Sequence, residues 1–118
     1  MIADKHSLRF LQLNLPWTPS YSEDFRANPQ SHKDFSHAVL HIAKAAGNLA
    51  TVAEEWDHKR PAGQRPGTTL EAERAAATKA LADLVICALR AANMLPGGTL
   101  DLAQAVIDRI ETKNGVKL

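Results

Sequence analysis

The stretch 75–95, AAATKALADLVICALRAANML, decides how this chain folds. It contains no glycine or proline and is dominated by alanine and leucine, the strongest helix formers. Between Lys79 and Arg90 the only residue that is not apolar is Asp83. A helix apolar on nearly every side is expected at the centre of a fold, packed around most of its circumference. A carboxylate in such a helix needs a partner or a metal, because burying it alone as an ion is costly. Two readings of Asp83 follow. It lies on a wet stripe, paired with Arg90 two turns on, or it is a functional carboxylate.

Working outward, Thr68 and Glu71 have capping-box spacing at the start of this helix, and Pro96-Gly97-Gly98 provides its stop. Upstream, the loop HKRPAGQRPG (58–67) has two prolines, two glycines and the charges Lys59, Arg60 and Arg65, which reads as a basic hairpin tip. A second long helix is predicted from a cap at Ser31, with Asp34 three residues on, to about His58. Its apolar residues Phe35, Val39, Ile42, Ala46, Leu49, Ala53 and Trp56 recur in steps of four and three, which predicts a helix-packing seam. A parallel stripe of His37, His41, Lys44, Asn48, Thr51 and Glu55 is polar. Gly47 lies mid-helix, where it costs roughly 1 kcal/mol against alanine, and predicts close approach of another helix or a ligand.

A last helix is expected after a Thr99 cap, with Asp101 in its first turn, an apolar face of Leu102, Ala103, Val106, Ile107 and Ile110, and a stop at Asn114-Gly115. Residues 1–30 read as an irregular N-terminal segment. Ile2, Leu8, Leu11 and Leu15 suggest one short helix, Pro16 and Pro19 interrupt it, and Trp17 and Tyr21 cover an end of the core. The predicted fold is all-α: a long antiparallel helix pair plus a shorter C-terminal helix in a helical domain over 31–118. Such hairpins complete their cores by dimerising into a bundle, so a homodimer or homotetramer is expected.

Composition narrows the function classes. The chain has 118 residues, with 14 Lys+Arg against 13 Asp+Glu. A formal charge of +1 argues against a generic nucleic-acid binder, which would carry a basic patch or stripe. The single cysteine, Cys87, reads as a small buried hydrophobe in a reducing compartment. MIADKHSLRF lacks the apolar core of a leader peptide, and no run is long enough to span a bilayer. A soluble, cytoplasmic protein without membrane attachment is expected.

Folding the two long helices about the loop pairs residues whose numbers sum to about 127. Ala45 and Asn48 then lie level with Lys79, Ala80 and Asp83, giving an interior polar level of His41, Lys44, Asn48 and Asp83. Glu54, Glu55 and Asp57 lie near Glu71 and Glu73 at the tip, where they form either a solvated helix end or a relocated metal site.

The run ALADLVICALRAANMLPGGTLDLAQAVIDRIETKNG (80–115) resembles the second half of a MazG-like, all-α nucleotide pyrophosphohydrolase: an E-x-x-D-x-apolar helix, a Gly-containing turn, then a helix ending in a basic residue and Asn. HAVLHIAKAAGNLATVAEE (37–55) resembles that family's first motif helix, so the likeness covers about 35–115. The resemblance implies a Mg²⁺-dependent enzyme converting a nucleoside triphosphate to a monophosphate and pyrophosphate, with the metal on an E-x-x-E and an E-x-x-D pair. Oxygen ligands suit Mg²⁺, and i,i+3 spacing sets each pair on one helix face. Here Ala45 and Asn48 stand at the first pair and Ala80 at the third acid, which leaves Asp83 as metal ligand and catalytic carboxylate. By the same resemblance Arg109 and Asn114 contact phosphate or base.

His37 and His41, at i,i+4, have the spacing of a zinc pair, but with no H-E-x-x-H pattern they read better as polar interior residues, His41 bonded to Asp83. Lys44 neutralises Asp83 or reaches a phosphate. Trp17 and Trp56 read as packing residues rather than base-stacking ones. Three readings stand open: a MazG-like hydrolase with a divergent site, a non-catalytic binder of a nucleotide or other phosphorylated ligand through His41, Lys44, Asn48, Arg109 and Asn114, and a helical dimerisation module.

Overall fold

A computed structural model of the protein describes residues 7–15, 32–59 and 67–118. These residues form four α-helices and no strand: α1 (Leu8–Leu13), α2 (His32–Glu54), α3 (Leu70–Asn93) and α4 (Leu102–Asn114). Helix α2 closes in a π-helical turn, Glu55–Lys59. The fold is all-α, built on a long helix pair as its periodicity predicts. No helix among the described residues is long and apolar enough to cross a membrane. The expected roles of Ile2, Trp17, Tyr21, Ser31 and the Arg60–Arg65 part of the loop lie outside the described residues.

The boundaries follow local chemistry, shifted in places from the sequence reading. The cap of α3 is Thr69 rather than Thr68: its hydroxyl accepts from the Ala72 N–H at 3.1 Å. The cap of α4 is Asp101 rather than Thr99, its carboxylate accepting from the Gln104 N–H at 3.2 Å. Helix α3 ends at Asn93, before the proline, because Pro96 disfavours helical geometry at Leu95. Gly97 and Gly98 then turn the chain at φ 94° and 142°. Helix α4 stops as expected at Asn114, with Gly115 at φ 64° in the left-handed conformation that glycine adopts most readily.

The chain forms two compact units, one of residues Ala38–Ala88, the other including Leu89–Leu118 and the described residues before Ala38. In the second of these, Gln12 is 1% exposed and ties α1 to the start of α4. Its Nε2 donates to Asn93 Oδ1 at 3.0 Å and to the Leu100 carbonyl at 2.6 Å, and its Oε1 accepts from the Leu102 N–H at 3.1 Å. Asn93 Nδ2 donates back to the Gln12 carbonyl at 3.1 Å. A buried amide is tolerated here because its polar atoms are bonded.

The unit Ala38–Ala88 is the helical hairpin. Trp56 Nε1 donates to Glu73 Oε2 at 3.0 Å, Val52 shares a cleft with Ala76, and His41 shares one with Cys87. Rising numbers on α2 meet falling numbers on α3, so the pair is antiparallel and within a residue or two of the expected register. The seam is rotated from the predicted one. Ala38 and Ala45 on α2 and Ala80 on α3 are buried, whereas Val39 is 43% exposed. The line 38–45 runs between the apolar and polar stripes of the sequence, so that Ile42 and Leu49 are half-buried and Ala46 and Ala53 are exposed.

Two further expectations are corrected. Helix α3 is not surrounded by its own chain: Leu81, Val85 and Ile86 are exposed. Gly47 faces open space, with nothing within 4 Å of where a Cβ would stand, and nothing in the structure explains it.

Candidate functional site

On α2, residues 41, 44, 45 and 48 recur at helical spacing and share one face; on α3, residues 79, 83 and 87 form a single i,i+4 line. The antiparallel register sets these faces side by side. Between them is a cleft of about 200 Å³ lined by His41, Lys44, Ala45, Asn48, Lys79, Asp83 and Cys87. Ala45, 4% exposed, is its most deeply buried lining residue. Four of the residues singled out from sequence, His41, Lys44, Asn48 and Asp83, are thereby brought together.

Asp83 is paired, but not with Arg90. Its Oδ2 lies 3.1 Å from Lys79 Nζ, one helical turn back. The two side chains are 40% and 78% exposed, so the pair is solvent-screened and contributes only about 0.3–0.5 kcal/mol. The order is also the weaker one, with the cation N-terminal to the acid. Lys44 is exposed and has no carboxylate partner among the described residues. The cleft therefore holds two ammonium groups against one carboxylate. Lys79 and Cys87 were not among the residues singled out as site residues; the i,i+4 spacing from Asp83 in both directions is the signal that would have found them.

A second cleft of about 220 Å³ adjoins the first through Asn48, Lys79 and Asp83, and is completed by Val52, Ala76 and Ala80. Past it, toward the hairpin tip, is the Trp56–Glu73 bond. Glu73 is 3% exposed, which separates it from the other tip acids: Glu54, Asp57 and Glu71 are exposed and Glu55 is half-buried. Among the described residues no three or more His, Cys, Asp or Glu side chains are grouped to hold a metal ion, at the tip or around His37 and His41. His37 does not line the cleft.

The donor set of the cleft does not fit a resident Mg²⁺, which requires several oxygen ligands in near-octahedral array. Among the described residues Asp83 supplies the only carboxylate and already contacts an ammonium group, Ala45 and Ala80 offer no side-chain donor, and His41 and Cys87 offer nitrogen and sulfur. Arg109 and Asn114 lie on α4, in the other compact unit. Asn114 Nδ2 donates to the Ile110 carbonyl at 3.0 Å, within its own helix.

Compared with protein-family models, curated proteins and solved structures, the chain matches none.

Proposed function

We propose that this chain is a MazG-like relative that binds a nucleotide or related phosphorylated small molecule in the hairpin cleft without hydrolysing it. The observation that carries the reading is the pairing of Lys44 and Lys79 around one cleft with Asn48 and His41 beside them. Ammonium groups and side-chain donors are what a phosphate selects, and charge-assisted hydrogen bonds are the strong ones. The weak Lys79–Asp83 pair leaves Lys79 available to an anion. The motif likeness over 35–115 supplies the nucleotide; the cleft charge supplies the phosphate.

Thermal unfolding with a panel of nucleoside phosphates, run beside a pyrophosphate-release assay in Mg²⁺ or Mn²⁺, tests this. The expected result is a rise in melting temperature and no release. A ligand at a hundred times its Kd stabilises by about 2.7 kcal/mol, a shift of several degrees. The rival hydrolase reading is favoured by one observation, that Asp83 lines the cleft. Metal-dependent pyrophosphate release that disappears in Asp83→Asn would establish it and overturn the binding reading.

The same proposal pairs the chain with a second copy. Val39 on α2 is two residues from His41, and Leu81 and Val85 on α3 are each two residues from Asp83, which sets them about 200° round their helices from the cleft. They are 43%, 52% and 46% exposed, an apolar flank opposite the polar one. Sedimentation equilibrium is expected to give a dimer or tetramer, and Leu81→Lys a monomer with its helix content kept. A wild-type monomer at high concentration sinks the pairing and leaves the ligand reading intact.

A further inference from the structure

We infer that the ligand is held through a single phosphate and carries a compact apolar or flat body, a phosphomonoester rather than a triphosphate. The inference rests on the phosphate-binding reading above and concerns the two adjoining clefts. They share Asn48, Lys79 and Asp83, so they adjoin one another along the hairpin. Their outer ends differ in chemistry. The end away from the tip has Lys44 and His41; the end toward the tip has Val52, Ala76 and Ala80. At about 200 and 220 Å³, each part alone is smaller than a typical small-molecule site of about 300–1,000 Å³, and the two joined fall in that range. A molecule filling both has an anionic head and an apolar body about one helical turn away.

Charge sets the size of the head. Lys44 and Lys79 exceed Asp83 by one positive charge, and a phosphomonoester carries about −1.5 to −2 at neutral pH. A triphosphate brings further negative charge against the Asp83 carboxylate, in a cleft whose donors do not fit the metal that would offset it. The body gains from removal of apolar surface from water along Val52 and Ala76.

Calorimetric titration of the full chain without divalent cations tests this with four probes: adenosine monophosphate, adenosine triphosphate, ribose 5-phosphate and inorganic phosphate. The monophosphate is expected to bind about tenfold tighter than ribose 5-phosphate or inorganic phosphate, and the triphosphate no tighter than the monophosphate. In Ala76→Leu, at an exposed helix position where leucine is well tolerated, the tenfold preference is lost. Equal affinity for monophosphate and inorganic phosphate, or tighter binding of the triphosphate, overturns the inference and leaves the phosphate-binding reading in place. Absence of binding by all four overturns both. The wild-type panel decides the matter even if Ala76→Leu does not fold, which circular dichroism checks.

Discussion

Gln12→Leu is expected to lower the midpoint of thermal unfolding by about 10 °C, the largest single-residue effect on stability anticipated in this chain. The side chain is 1% exposed and serves three partners, Asn93, the Leu100 carbonyl and the Leu102 N–H. Leucine matches its bulk but can bond none of them. A buried polar group left without a partner costs about 1–3 kcal/mol, and the three losses are not additive since they share one site. A total of about 3 kcal/mol, at roughly 3–4 °C per kcal/mol for a chain of this size, gives the stated shift. Asp101, which caps the helix that Gln12 helps to position, sets the scale for comparison: such a cap is worth about 1 kcal/mol, and its 3.6 Å pairing with Arg9 is half-exposed and adds little. A melt of Gln12→Leu within 2 °C of wild type would mean that the orphaned groups reach water, and that the clasp between α1 and α4 is not what holds this unit.

Combining Lys44→Ala with Lys79→Ala is expected to weaken binding of adenosine monophosphate by about 100-fold, with each single change contributing about tenfold, since a charged hydrogen bond to phosphate is worth about 1.5–3 kcal/mol. The effect should appear in affinity and not in folding. Both side chains are exposed, and losing the screened Lys79–Asp83 pair costs no more than about 0.5 kcal/mol. Titration beside a thermal melt separates the two readouts. Unchanged affinity in the double variant, with an unchanged melt, would remove the cleft as the phosphate site.

The helices, their approximate ends and the antiparallel register are legible in the amino-acid sequence. Helical periodicity, Thr and Asp caps, Pro96 and the left-handed Gly115 act within a few residues, so their signals are readable locally. Where the reading slipped, it slipped among near-equivalent local choices, such as Thr69 for Thr68 or Asp101 for Thr99, each able to cap at a neighbouring position. The register follows from loop position alone, and it sets His41, Lys44, Asn48 and Asp83 on one level.

Which residues are covered is settled only by packing. On α2 the lines through Phe35–Ile42–Leu49 and Ala38–Ala45 differ by a small rotation, and only the folded chain determines that the alanines are buried while Val39 faces out. The partner of Asp83 was a similar matter: Arg90 and Lys79 are both cations in the same helix, but i,i+4 neighbours face each other and a residue seven positions on is two turns away. Gln12 shows the limit most plainly. A lone glutamine in a short helix carries no local mark of burial, because what makes it necessary is an asparagine side chain 81 residues on and two backbone groups 88 and 90 residues on, which only the folded chain brings to it.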